Sequence, residues 1–385
     1  MATVGRWSEI SATAGEAYAD GLDTRDVEAA GRSFREALAR VRALLGRLDE
    51  EGVWWQRGRM AACEALSATE PRFRFCRAFP RSALFGETLV ASAYRAVVGD
   101  TPPEEACRAA QFVNLFVTAL DGMCDEAPDL LSQIVPAASD LFARFPEPPV
   151  VQPTGQHPVV WLAFEVGVSA TRILHDRLRS HPQPGPMGRR LTNAVRTAYA
   201  AELESLKLQS RSALRSLAED LGEDRPSDEA RLVIEERTRL SAKAFNASLQ
   251  MAALFADADE ETATGLEELA DQLGAFFGWV DDVVDLGSDH LQGQPNMAAA
   301  ALRRASCDLG TTGVVGGDWR PTLREETWNR WQALEAALAE FPWHQRARQD
   351  LQRAALAWFG SAAPAAGCRS PRESCYGRPS EGPLA

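Results

Sequence analysis

Aspartates form two short clusters in this chain, and each cluster directly follows an apolar stretch. In the segment WVDDVVDLGSD, Asp281 and Asp285 are four residues apart, a spacing that places them on one face of a helix, one turn apart. Like charges at this spacing repel one another and resist ionisation unless a cation is present. Mg²⁺ suits such a pair, because proteins usually bind it through one or two carboxylates together with substrate phosphates. With the adjacent Asp282, these residues are predicted to bind metal.

The other cluster is in LFVTALDGMCDEAPDL, where Asp121 and Asp125 are again four residues apart. We predict that both bind metal, and that Pro128 ends their helix near residue 127, because its ring clashes with the preceding turn. The spacing leaves open whether further carboxylates join the two sites: Glu126, Asp129 and Asp289. Solvent-exposed acidic helix ends are the alternative interpretation of both clusters.

The elements that must position these clusters are helices. Long segments rich in alanine, leucine, arginine and glutamate carry apolar residues at three- and four-residue spacing, which is typical of amphipathic helices. The predicted helices are 26–48, 57–68, 85–98, 104–127, 159–178, 188–220, 227–256, 262–287, 322–340 and 344–359. No alternating pattern is long enough to indicate a sheet. The predicted fold class is therefore all-α.

Three Pro- or Gly-rich segments, 145–158, 181–188 and 309–321, predict loops rather than long linkers. We therefore predict one helical domain from 25 to 360, preceded by an N-terminal extension (1–24). The polar, Pro- and Gly-rich tail (361–385) is predicted to be disordered.

Composition narrows the classes of partner. The net charge of −13 argues against nucleic acid or an anionic membrane as the main partner, because phosphates would be repelled. The seven cysteines show no CxxC spacing, which favours reduced thiols over a disulfide framework or a zinc site. We see neither a signal-peptide pattern nor an apolar run long enough to span a membrane. These features lead us to expect a cytoplasmic protein.

The segment AKAFNASLQMAALFADADEETATGLEELADQLGAFFGWVDDVVDLGSDHLQGQPN resembles the trans-polyprenyl diphosphate synthases and their class I terpene synthase relatives. Lys243 matches the substrate-binding lysine of that family, and Asp281, Asp282 and Asp285 match its second Asp-rich motif. The first motif is matched by Asp121 and Asp125. The resemblance implies an isoprenoid synthase type I fold, a helical bundle around a deep apolar pocket. It also implies Mg²⁺ ions that hold the diphosphate leaving group of a prenyl diphosphate.

Departures from the family pattern bear on the reaction. The first motif is DxxxD rather than DDxxD, and RSALFGETLVAS replaces the GGKRxRP segment that normally binds isopentenyl diphosphate. Gly278 and Gln294 replace the usual Gln and Lys. The resemblance thus favours a terpene synthase that cyclises one prenyl diphosphate. A prenyltransferase that joins it to isopentenyl diphosphate or another nucleophile is the first alternative. A non-catalytic helical binding protein is the second, and an inactive relative is also possible.

Substrate contacts follow from the same comparison. Lys243 is expected to bind the leaving group. Arg237 and Arg239 are further candidates, but an Arg- and Glu-rich helix usually faces solvent, and for these two arginines the solvent-exposed face is the preferred interpretation. Aromatic rings that could line the pocket and steady a carbocation are Phe112, Phe116, Phe245, Phe277 and Trp161. For each of them taken singly, a place in the core is the preferred interpretation. Phe116, five residues before Asp121, matches a place that limits chain length in the family, and Asn114 lies about two helical turns below Asp121. A homodimer is possible.

Overall fold

The computed structural model describes residues 5–6, 14–16, 18–19, 22, 24–50, 58–207, 229–292, 294–309 and 314–359. These residues are mainly helical, and the predicted all-α class is confirmed. The helices in chain order are α1 (Thr24–Glu50), α2 (Arg59–Thr69), α3 (Phe79–Val98), α4 (Glu104–Glu126), α5 (Leu131–Arg144), α6 (Pro158–Ser180), α7 (Pro184–Lys207), α8 (Glu229–Phe255), α9 (Glu260–Gln292), α10 (Met297–Arg304), α11 (Trp319–Leu338) and α12 (His344–Trp358). Short 3₁₀ helices cover Pro71–Ala78 and Pro128–Leu130.

A small antiparallel sheet, which the sequence did not predict, joins two distant parts of the chain. Its strands are β1 (Gly5–Arg6), β2 (Asp308–Leu309) and β3 (Val314–Gly316), with β3 in the centre. Gly5 lies opposite Val315. Strands of two or three residues are too short to show the alternation that identifies a strand in a sequence.

Two helices were also missed: α5, which contains Pro136, and α10, which has only eight residues. Several helices are longer than predicted, among them α3, which begins at Phe79. Helix α9 continues past Gly287 to Gln292, so Asp289 is helical. The end of α4 at Glu126 agrees with the stop predicted from Pro128.

Helices α8 and α9 approach each other closely because small residues meet between them. A Cβ atom at Gly274 would lie 2.3 Å from the backbone nitrogen of Ala242, and one at Gly278 would lie 2.7 Å from Ser241 Oγ. Gly278 is one of the departures from the family pattern. The absence of a side chain there lets the two helices pack closely. This close contact fixes the acidic end of α9 relative to α8.

Part of the predicted N-terminal extension packs into the domain. Ala14 and Tyr18 are completely buried, and the Tyr18 ring lies 5.1 Å from that of Trp331 and 5.7 Å from that of Phe276. The predicted tail and the end of the predicted 188–220 helix lie outside the described residues. Within the described part of the chain, none of the helices is long and apolar enough to cross a membrane.

Candidate active site

An apolar cavity of about 620 Å³ lies among helices α3, α4, α6, α7, α8 and α9. This volume is in the range of small-molecule binding sites. The cavity lining includes Asp121, Asp281, Asp285 and Asp289. Because Asp121 and Asp285 are exposed to solvent, these carboxylates mark the mouth of the cavity.

The carboxylates of α9 repel one another at this mouth. Burial, followed by the charges of Asp285 and Asp282, raises the pKa of Asp281 well above its usual range. Burial also raises the pKa of Asp289 to about 7, although a hydrogen bond from Asn296 opposes the rise. Deprotonation of both groups is therefore unfavourable without a cation beside them.

Helix α4 brings its acidic cluster to the same place. Asp121 lines the cavity, and its charge contributes to the raised pKa of Asp281. The side chain of Asp125 lies outside the described residues. Asp129 is instead paired with Arg72 at 3.1 Å, and Glu126 is exposed outside the cavity lining. Of the three carboxylates that the sequence left open, Asp289 reaches the cavity.

Asp282 does not fit the metal-binding role that the sequence predicted. It is fully buried, and both of its carboxylate oxygens already accept hydrogen bonds from protein donors. Oδ1 accepts from Arg237 Nη2 at 2.5 Å, and Oδ2 accepts from the backbone nitrogen of Met297 at 2.5 Å. The side chain therefore ties α8 and the start of α10 to α9.

Of the three cations predicted to bind the leaving group, Arg237 lines the cavity. The solvated-face interpretation was wrong for this residue, because its guanidinium pairs with the buried Asp282. Arg239 is exposed and donates to Glu236, and Lys243 is half-buried outside the cavity lining. A further arginine in the cavity lining is Arg81 of α3, which is exposed to solvent.

One wall of the cavity is aromatic. Phe245 and Phe277, both predicted, are joined there by Phe85 and Trp358. The Phe85 ring lies 5.1 Å from that of Phe277 and 4.3 Å from that of Trp358. Phe85 and Trp358 were missed because they come from α3 and α12, far along the chain from either acidic cluster.

The remaining predicted rings divide between cavity and core. Phe116 lines the cavity, whereas Phe112 is buried outside its lining. Trp161 also lies outside, with the Arg59 guanidinium 5.3 Å from its ring centre. Asn114 lines the cavity and donates to the carbonyl oxygen of Ser82 at 2.8 Å, which ties α4 to α3.

Phe116 lies in a buried part of the cavity lining. It is 4% exposed, and its ring lies 5.5 Å from Phe142, which stacks on Tyr199 at 4.1 Å. A Cβ atom at Gly167 would lie 3.0 Å from the Phe116 ring. Asp121 is one and a half turns further along α4 and exposed, so Phe116 lies below the acidic mouth.

The carboxylates at the mouth fit Mg²⁺ only if substrate phosphates supply some of its ligands. Among the residues whose positions are described, no three His, Cys, Asp or Glu side chains converge to form a closed metal site. Mg²⁺ does not need such a site, since it commonly keeps waters and binds one or two carboxylates plus substrate phosphates. The pKa values of Asp281 and Asp289 are raised by burial and by neighbouring carboxylates. A cation bound beside them would favour their charged forms.

Comparison with known proteins gives a structural likeness but no match in sequence. No model of a known protein family matches the sequence, and no curated protein matches it. Among solved structures, the chain is similar to the crystal structure of geranylgeranyl pyrophosphate synthetase from Pyrococcus horikoshii. The identity is 16%, the TM-score is 0.39, and the alignment covers 84% of this chain and 93% of that one. Similarity at this level does not extend to activity.

Proposed function

We propose that the protein is a Mg²⁺-dependent enzyme that ionises an allylic prenyl diphosphate. The observation that carries the proposal is the meeting of acidic side chains from α4 and α9 at the mouth of one apolar cavity. A prenyl diphosphate has matching chemistry, with an anionic head that needs metal ions and a long apolar tail.

The residues at the mouth would hold the head group. Asp121, Asp281 and Asp285 would bind Mg²⁺ together with the diphosphate oxygens. When bound, the ions supply the positive charge that stabilises the departing diphosphate. Arg237, held in place by Asp282, would add a cationic contact to the same group.

The cavity below would control the carbocation that remains. Its apolar lining excludes water, which would otherwise quench the cation. The faces of aromatic rings attract positive charge, and Phe85, Phe245 and Phe277 form such a wall. A cation kept dry in this cavity would be attacked by its own double bonds and would cyclise. The cyclic cation would then lose a proton to the released diphosphate, which gives a hydrocarbon, or bind a water molecule and lose a proton from it, which gives an alcohol.

A cyclase fits the site better than a chain-elongating enzyme. Among the described residues that line the cavity, the cationic ones are Arg81 and Arg237. Arg237 is already paired with Asp282. Two diphosphates bound together would carry more negative charge than these arginines balance, so we favour a class I terpene synthase acting on one substrate.

Product analysis tests this proposal. The purified protein is incubated with Mg²⁺ and, separately, with C10, C15, C20 and C25 prenyl diphosphates. We expect release of diphosphate and a cyclic hydrocarbon or alcohol from one substrate alone, and loss of both when EDTA removes the metal. If no diphosphate is released and Mg²⁺ with inorganic diphosphate does not bind, the protein is a non-catalytic helical protein instead.

Arg81 provides a specific reason to keep prenyl transfer as the second candidate. It lies at the cavity mouth, where it could bind the diphosphate of isopentenyl diphosphate. Supplied with an allylic diphosphate and radiolabelled isopentenyl diphosphate, the enzyme should incorporate little label. Efficient incorporation that Arg81→Ala abolishes would establish the prenyltransferase. Arg72→Ala, which removes an arginine paired with Asp129, is the matched control.

A further inference from the structure

The turn that follows α9 folds back onto the acidic end of that helix. The backbone nitrogen of Gln294 donates to the carbonyl oxygen of Asp289 at 2.8 Å, and that of Met297 donates to Asp282 Oδ2. The side chains of Gln294 and Pro295 line the cavity. This turn therefore forms an edge of the cavity mouth beside the carboxylates of α9.

Asn296, at the end of this turn and directly before α10, uses every hydrogen-bonding group of its side chain. The side chain is 2% exposed. Nδ2 donates to the carbonyl oxygen of Asp282 at 2.7 Å and to Asp289 Oδ2 at 2.8 Å. Oδ1 accepts from the backbone nitrogen of Ala299 at 2.9 Å and so caps α10. An asparagine amide has two donor hydrogens, and here both are directed to α9.

The bond to Asp289 is the one that reaches a cavity-lining carboxylate. Asp289 lies four residues after Asp285 on α9, and both side chains line the cavity. A donor that is itself buried and held by other bonds restricts the rotation of the carboxylate it contacts. Outer partners that orient metal-binding carboxylates in this way have large effects on metal affinity.

We propose that Asn296 is a positioning residue, which holds Asp289 in the orientation that lets it join Asp285, one turn away on α9, in binding Mg²⁺. This inference rests on the proposed function, since it needs a metal at the cavity mouth. It assigns Asn296 two separable tasks. The acceptor oxygen caps α10, and the donor nitrogen orients a metal ligand.

Asn296→Ser separates the two tasks. Serine is as good a helix cap as asparagine, but its short hydroxyl cannot reach Asp289. Isothermal titration calorimetry of the full-length protein with Mg²⁺, with and without inorganic diphosphate, measures the effect. We expect Asn296→Ser to weaken Mg²⁺ binding by about 10- to 100-fold.

Two further variants distinguish positioning from a purely structural role. Asp289→Asn removes the oriented ligand, so adding Asn296→Ser to it should change the Mg²⁺ affinity by no more than about twofold. Asp259→Ser is the matched control, because Asp259 accepts from the backbone nitrogen of Thr262 at the opposite end of α9. It should bind Mg²⁺ like the unmodified protein.

The outcomes are separable. If the unmodified protein binds Mg²⁺ and Asn296→Ser binds it equally well, the positioning role is wrong while the proposed function stands. A variant that melts earlier but keeps its Mg²⁺ affinity leads to the same conclusion, because Asn296 would then be only a cap. If the unmodified protein binds no Mg²⁺ even with diphosphate, the proposed function fails and this inference fails with it.

Discussion

The adjacent aspartates Asp281 and Asp282 of α9 have opposite surroundings. Asp281 faces the cavity and the charges of neighbouring carboxylates. Asp282, about 100° around the helix, faces the interior and accepts hydrogen bonds from Arg237 and Met297. Aspartate is therefore a candidate metal ligand at position 281 and a structural residue at position 282.

Asp285→Ala should abolish turnover without harming the fold. Removing a carboxylate from the mouth takes away a metal ligand, and we expect turnover to fall by about 100-fold or more. It also relieves repulsion of Asp281, so the melting temperature of the metal-free protein should stay the same or rise. Product assays and thermal unfolding measure the two effects. Asp129→Ala, which removes an exposed carboxylate paired with Arg72, should leave turnover intact. Near-normal turnover in Asp285→Ala would contradict the metal assignment.

The stabilising effect of Mg²⁺ should increase with pH. The raised pKa of Asp281 and the pKa of about 7 of Asp289 mean that the native protein holds protons that the unfolded chain has already released. Between the usual carboxyl pKa of about 4 and about 7, the stability of the metal-free protein therefore falls as pH rises. Mg²⁺ binds the deprotonated carboxylates, so its effect on the melting temperature should be larger at about pH 8 than at about pH 5.5. Asp289→Asn should weaken this dependence, and an equal effect at both pH values would rule out the carboxylates as the binding groups.

At the scale of elements, one helix supplies both an exposed and a buried part of the cavity lining. Helix α4 carries Asp121 at the solvent-exposed end and Phe116 below it. Phe112 lies one turn deeper and belongs to the core rather than to the cavity. The depth of the cavity therefore depends on which side chains α4 places beneath Asp121.

Phe116→Ala should open the floor of the cavity. The missing ring leaves room against Phe142 and Gly167, so the preferred substrate or product should shift toward longer prenyl chains. Some stability is lost as well, up to about 3–5 kcal/mol. Chain-length preference and melting temperature are measured together.

Phe112→Ala is the control for this change. It removes an equally buried ring from the same helix, and it should cost similar stability without altering the order of substrates. If Phe116→Ala is merely less stable, with the same substrate ranking as before, then Phe116 is core and the floor lies elsewhere.

At the scale of the molecule, the N-terminal segment and the helices near the C-terminus form one core. The Tyr18 ring packs between Phe276, Trp331 and Phe359. Phe276 in turn lies 5.1 Å from Phe277, which lines the cavity. Residues that the sequence assigned to an extension therefore support the aromatic wall from behind.

Tyr18 should contribute to stability through its ring and not through its hydroxyl. The hydroxyl is buried and has no hydrogen-bond partner among the described residues, and burial raises its pKa. Tyr18→Phe should therefore leave the free energy of unfolding unchanged or raise it, whereas Tyr18→Ala should lower it by about 3–5 kcal/mol. Denaturant unfolding measures both. Tyr199→Phe is the comparison for the loss of a hydroxyl, because the Tyr199 hydroxyl lies 3.3 Å from Ser139 Oγ. A clear loss in Tyr18→Phe would show that the hydroxyl has a partner, such as a buried water.

The sequence alone determined the features that depend on near neighbours. Apolar spacing predicted most helices, such as 104–127 for α4 (Glu104–Glu126), and Pro128 predicted where that helix ends. The four-residue spacing of Asp281 and Asp285 placed both on one face, and both line the cavity. These features follow from helix geometry and steric clashes within a turn or two, which a linear pattern records.

Only the tertiary structure decided the features that depend on distant partners. The sequence assigned Asp282 to metal binding and Arg237 to a solvent-exposed face. The two side chains bond to each other because α8 and α9 pack together. Phe85 and Trp358 became one aromatic wall because α3 and α12 meet. The pairing of Gly5 with Val315 leaves no local trace, since it links strands of two or three residues. Side chains far apart in the chain acquire such roles through packing, and no periodicity along the sequence encodes which of them will meet.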